Sequence, residues 1–179
     1  QFFTEVKNNV YAKDSVEVCV VTFGDTADCL LDFDNIDRQT TPSLTAYGNT
    51  PMDDAVNMAL DKLEKRKREY QDNGVSYYQP WMVLMTDGQP TQDISGSSSR
   101  TTEMINNRKL TIFPIGIGQG ADMNELARFS PDRDPLRLNG LKFESFFEWL
   151  SQSVERVSQS IPGDKIDLDL KGIKGWAEL

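Results

Sequence analysis

Two short stretches place oxygen donors where the surrounding sequence gives them little else to do. Asp87 leaves the end of the apolar run Trp81-Met-Val-Leu-Met-Thr86 and is followed by Gly88, Pro90 and Thr91, the composition of a tight turn. Thr50 stands behind Gly48 and Asn49, just before Pro51 and an amphipathic run. A carboxylate plus hydroxyls at strand ends is the donor set of a hard divalent cation (Mg2+, or Mn2+ or Ca2+), with waters and a partner's carboxylate completing the shell. Each residue also has a plainer role, Thr50 as a helix N-cap and Asp87 as the cap of its turn.

Other chemistries are narrowed by what the chain holds. It contains no His, which removes Ser-His-Asp triads, Cys-His dyads and His-rich zinc sites together. Phosphoryl transfer on Asp87 needs a second acid two residues on, and position 89 is Gln89. Gly116-Ile-Gly-Gln-Gly120 follows a strand and precedes a helix, which keeps a nucleotide-binding Rossmann-like enzyme as the alternative. Its spacing is G-x-G-x-G rather than G-x-G-x-x-G, and no P-loop lysine accompanies it, so strand-ending flexibility is the preferred account.

Two cysteines, Cys19 and Cys29, are too few for a disulfide framework. With Gly24 to Asp28 as a hairpin turn, Cys29 falls opposite Phe23 and Cys19 near Phe33. At roughly 3.3 Å per residue the sulfurs are then more than about 10 Å apart, beyond disulfide reach. Both are expected to be reduced packing residues, which favours a reducing, cytoplasmic setting.

The elements that must position these groups follow from periodicity. Phe2, Phe3, Val6 and Val10 recur at helical spacing, and the hairpin comes next. Thr50, Pro51 and Asp53 read as N-cap, first turn and capping-box partner of a helix whose buried stripe is Met52, Ala55, Val56, Ala59, Leu60 and Leu63. Asp61 with Lys65 and Glu64 with Arg68 are expected i,i+4 pairs, and the cationic run 65–68 suits the end of a helix that stops at Gly74. Residues 81–86 and 110–117 are buried strands, with Pro114 where one backbone donor is not needed. Ser95 to Ser99 reads as a flexible loop before a helix over 98–108 that turns Met104 and Ile105 inward. Asp122 and Glu125 frame a helix over 123–129. Phe143, Phe146, Phe147, Leu150, Val154, Val157 and Ile161 share one face of the last. Strands alternating with amphipathic helices imply a three-layer α/β domain over 1–161 with a mostly parallel sheet. Residues 162–179 follow as a tail or edge segment.

The chain of 179 residues suits one domain, and its net charge of −9 argues against nucleic acid or an anionic membrane as partner. No apolar run reaches the ~18 residues of a spanning helix.

Taken in order, Gly48-Asn-Thr-Pro-Met-Asp-Asp-Ala55, Leu84-Met-Thr-Asp-Gly-Gln-Pro-Thr91 and Phe113-Pro-Ile-Gly-Ile-Gly118 resemble the von Willebrand factor A domain family. The resemblance implies a Rossmann-like fold with an antiparallel edge strand and helices on both faces. It also implies a non-enzymatic protein-interaction module with a metal-ion-dependent adhesion site, to which Thr50 and Asp87 map. The family's first metal loop, Asp-x-Ser-x-Ser at the end of the first strand, does not occur near residue 1. The resemblance therefore leads us to expect roughly 30 to 40 further residues upstream, enough for a strand, a loop and half a helix. Within residues 1–179 the site is then incomplete, and a metal-independent scaffold is the second alternative. Phe146-Phe-Glu-Trp-Leu-Ser-Gln-Ser153, Val157-Ser-Gln-Ser160 and Gly175-Trp176 look like the TerY-like bacterial branch. That likeness implies a cytoplasmic domain of tellurite-resistance or stress-response systems, partnered by a protein carboxylate and associated with a kinase and a phosphatase. In that setting Ser95 to Ser99 is also a conceivable phosphorylation target, with the flexible loop preferred.

Overall fold

The computed structural model describes residues 1–45, 48–138, 143–160 and 177–178. In chain order the elements are α1 (Phe2–Asn8), α2 (Ala12–Ser15), β1 (Glu17–Phe23), β2 (Ala27–Asn35), α3 (Met52–Asp72), β3 (Trp81–Thr86), α4 (Ser95–Asn106), β4 (Thr111–Ile117), α5 (Met123–Ala127), β5 (Leu136–Leu138), α6 (Phe143–Ser158) and β6 (Ala177–Glu178). Strands β3, β4 and β5 are parallel neighbours, and β6 closes the edge antiparallel to β5.

Side chains of β3 and β4 divide by parity, as a strand covered on both faces requires. Trp81, Val83, Met85, Phe113 and Ile115 pack with Phe146, Trp149 and Leu150 of α6 and with Phe2 of α1. Met82, Leu84 and Ile112 pack on the other face with Met52, Val56, Leu60 and Leu63 of α3, Met104 and Ile105 of α4, and Leu126 of α5. Helices thus cover both faces, and the three-layer α/β architecture stands. Pro114 lies opposite Leu84 of β3, while the three-residue β5 pairs only from Ile115 onward, so one flank of the proline has no strand to serve.

Strands β1 and β2 form a separate two-stranded antiparallel sheet. Phe23 and Phe33 join the core under α3, whereas Val16, Val18, Val20 and Leu31 join Phe3, Val6, Ala12 and Ile36 beneath α1 and α2. Among the described residues, β1 pairs only with β2, and β3 only with β4.

The structure corrects several local expectations. Helix α1 ends at Asn8, because Asn9 Oδ1 accepts the N–H groups of Tyr11 and Ala12 and starts a new turn, leaving Val10 70% exposed instead of buried. Helix α3 begins at Met52 with Pro51 at its N-cap and no side-chain cap, so Thr50 and Asp53 form no capping box. The expected Asp61–Lys65 and Glu64–Arg68 pairs are replaced: Asp61 pairs with Arg100 of α4 and Glu64 with Lys67, while Arg66 binds both Glu17 of β1 and Glu69. The basic run is therefore spent partly on holding β1. Ser95 to Ser99 is no loop; it opens α4, with Ser97 and Ser98 buried. Ile161 and all of the 162–179 tail except the β6 backbone lie outside the described residues.

Candidate functional site

Thr50 and Asp87 leave separate elements, and the sequence between them does not show that they meet. Asp87 follows the last residue of β3, where buried Thr86 accepts the Gly88 N–H on Oγ1 at 3.3 Å and turns the chain outward. Thr50 sits half-buried two residues before α3. Hydrogen bonds fasten the loops to each other. The Thr91 N–H donates to the Thr50 carbonyl at 3.0 Å. Gln92 Nε2 donates to Asp54 Oδ2 at 2.6 Å, and the Ser97 N–H donates to Asp53 Oδ1 at 3.1 Å. Asp53 thus serves the N-terminus of α4 through Oδ1, while its Oδ2 accepts from Asn57 Nδ2 within α3.

Glycine is required where the loops cross. A Cβ on Gly88 would stand 3.1 Å from Thr50 Oγ1, and one on Gly120 would stand 2.6 Å from the Asp87 carbonyl oxygen. A Cβ on Gly116 would strike Met123 Sδ at 2.4 Å, and Gly118 has φ +66°. The glycines read as a possible nucleotide fingerprint are therefore accounted for by close approach and a left-handed turn. They pack the loop over 118–122 against Asp87, and Asp122 caps α5 as expected by accepting the Asn124 and Glu125 N–H groups.

The Thr50 hydroxyl and the exposed Asp87 carboxylate make no hydrogen bond or ion pair among the described residues. Sequence reasoning missed Asp25, in the turn between β1 and β2. Its Oδ1 accepts from the Asn49 N–H at 3.3 Å and from Asn49 Nδ2 at 3.4 Å, bracing the loop that carries Thr50. A Cβ on Gly48, at φ +76°, would fall 2.5 Å from the same oxygen. The pairing of an acidic turn with a Gly-Asn turn was the only sequence signal. The spacing Asp-x-Ser-x-Ser does occur at Asp93-Ile-Ser-Gly-Ser97, but there it starts a helix. Asp93 Oδ1 accepts the Ser95 N–H and Oγ–H at 3.0 and 2.6 Å, and those bonds hold its pKa below the ordinary value.

A second cluster overturns the expected sulfur separation. The turn is shorter than expected, pairing Phe23 with Ala27 and Cys29 with Val21, and register shifts follow on either side of Val20; Cys19 Sγ, Cys29 Sγ and an Asp32 carboxylate oxygen lie within 4.8 Å of one another. Both cysteines are free and half-buried. Burial, with the adjoining Cys29 and Asp32, pushes the Cys19 thiol up to about 12. A hydrogen bond from Lys62 Nζ at 2.6 Å holds the Asp32 pKa down and the Lys62 pKa up.

Fold and loops together define an α/β domain in which Asp87 lies at the carboxyl end of a parallel strand, where open sheets of this class bind ligands. The sequence profile of the von Willebrand factor type A domain matches residues 1–147, and the chain belongs to that family. Its members are commonly protein-interaction modules, generally non-enzymatic, that often hold a divalent metal. The chain is also similar to two crystal forms of proximal thread matrix protein 1 from the mussel byssus, at 21% identity in each. The first alignment covers 88% of this chain and 41% of that one, with a TM-score of 0.49. The second covers 87% and 40%, with a TM-score of 0.46. The chain thus spans about two fifths of that protein's length. No curated protein matches. No described helix is long and apolar enough to cross a membrane.

Proposed function

We propose that this domain is a non-catalytic interaction module in which Thr50 and Asp87 ligate a hard divalent cation, Mg2+ or else Mn2+ or Ca2+, that captures an acidic group of a protein partner. The observation that supports the reading is the joined pair of loops, one carrying a hydroxyl that caps no helix and the other an unpaired carboxylate. A cation held there reverses the local field, so an otherwise acidic surface can take a carboxylate as the last ligand. Two protein oxygens make a weak site, and in this reading water and the partner's carboxylate complete the shell. The domain spans 1–161 in this reading, with 162–179 as its tail. The finer placement, a cytoplasmic bacterial tellurite or stress-response system with an associated kinase and phosphatase, rests on the Phe146–Ser160 and Gly175-Trp176 motifs alone.

The test is calorimetric titration of the full-length protein with Mg2+ and Mn2+, beside Asp87→Ala and Thr50→Ala. We expect binding that Asp87→Ala abolishes and Thr50→Ala weakens, and partner capture that a chelator reverses. Partner binding indifferent to chelator and to Asp87→Ala would leave the metal-independent scaffold as the better account.

A further inference from the structure

We propose that Cys19, Cys29 and Asp32 form a second metal site, one that binds a single thiophilic divalent cation of the zinc class. Two strands supply the donors, and every pair of ligand atoms lies within 4.8 Å. Bonds of about 2.3 Å to sulfur and 2.0–2.2 Å to oxygen set tetrahedral donors roughly 3.5–3.8 Å apart, so about an ångström of side-chain rotation closes the site. These atoms gather beside the register shifts around Val20, and irregular strand pairing commonly re-aims side chains at functional positions.

The surroundings suit an ion. Asp32 Oδ1 accepts the Phe33 N–H at 2.9 Å and Oδ2 accepts from Lys62 Nζ at 2.6 Å, the outer-shell bonding that fixes a ligating carboxylate. Cys29 Sγ now donates to the Leu31 carbonyl at 3.4 Å, a proton that a cation would displace. Two thiolates and a carboxylate around a divalent ion leave one negative charge, which the Lys62 ammonium offsets. The Asp32 side chain is 57% exposed, so the fourth coordination position opens to solvent and takes water or a donor from another molecule. Soft sulfur donors separate this site from the all-oxygen loops of Thr50 and Asp87.

The experiment uses the full-length protein, reduced and stripped of metal, titrated with Co2+ and then Zn2+, in wild type and in an Asp87→Ala background. The expected result is one equivalent of Co2+ with a thiolate-to-cobalt charge-transfer band and intense tetrahedral d–d bands, bleached by Zn2+ and unchanged by Asp87→Ala. In a Cys19→Ser, Cys29→Ser double variant that keeps its circular dichroism, the bands vanish and Zn2+ affinity falls more than about 100-fold, while Lys62→Met costs about tenfold. Wild-type protein without the charge-transfer band, bands that survive the double variant, or disulfide formation in the presence of equimolar Zn2+ would each overturn the proposal. Because the readout is indifferent to Asp87, its failure leaves the interaction-module reading standing.

Discussion

The four-stranded sheet and the β1–β2 ribbon belong to one domain yet are held by different physics. In β4 the five residues Ile112 to Gly116 are fully buried, and Phe113 sits edge-on to Trp81 and Trp149 at ring-centroid distances of 5.4 and 5.5 Å. No residue of β1 is fully buried. What fastens the ribbon is directional: Arg66 Nε and Nη2 grip both Glu17 oxygens at 2.7 and 2.6 Å, and Lys62 reaches Asp32. Buried Gln39 donates through Nε2 to the carbonyls of Val18 and Asp32. Apolar packing is nearly indifferent to pH and salt, whereas ion pairs titrate and are screened. The two halves of this molecule should therefore come apart under different stresses.

The largest effect belongs to the packed half. Phe113→Ala should cost ~3–5 kcal/mol in denaturant unfolding at any pH near neutrality; a loss as small as that of a surface substitution would erase the contrast. In the ribbon, Arg66→Ala should cost roughly 1–3 kcal/mol at low ionic strength and clearly less in molar salt, because its pair is only partly screened from water. A salt-independent loss would mean that Arg66 acts by packing on Tyr70, whose ring centroid lies 5.0 Å from its guanidinium carbon.

The same contact sets a pH dependence. Burial alone would raise the Glu17 pKa, but hydrogen bonds from Arg66 and Tyr70 and the Arg66 charge outweigh it and hold the carboxyl below its ordinary 4.5. A depressed carboxylate pKa contributes stability in full above that ordinary value and loses it as pH falls through the folded one. Hydrogen exchange should show β1 and β2 amides losing protection below about pH 4.5 ahead of those of β4, and Arg66→Ala should remove that order. Smallest of all, Asp53→Ala removes the cap that Asp53 lends to α4 and should cost ~0.5–2 kcal/mol, read as a lowered melting temperature.

The sequence was most legible where a single element decides its own fate. The apolar runs of β3 and β4, the buried stripe of α3 and the Asp122 cap depend on residues close in the chain, and they read correctly. Choices among distant partners did not. Arg66 reaches Glu17, 49 residues away, as well as its neighbour Glu69, and Asp53 caps a helix 44 residues on. The register shifts beside which Cys19, Cys29 and Asp32 gather depend on how the two strands pair, which no pattern within either strand reveals. For the candidate site, strand-end chemistry pointed to Thr50 and Asp87 individually. Their common fastening, and the brace from Asp25, needed three loops to be in place.

Helix α3 ties these regions together mechanically. Its first turn is bolted to the Asp87 loop and to α4 through Asp53 and Asp54, while Lys62 and Arg66 further along clasp the ribbon. From its first turn to Lys62 the helix runs about 15 Å, so a tilt of roughly 5° at one end moves Lys62 by about 1 Å. A load applied at the rim would thus reach the cysteine pair as a change of leverage along the helix, with no side chain spanning the distance.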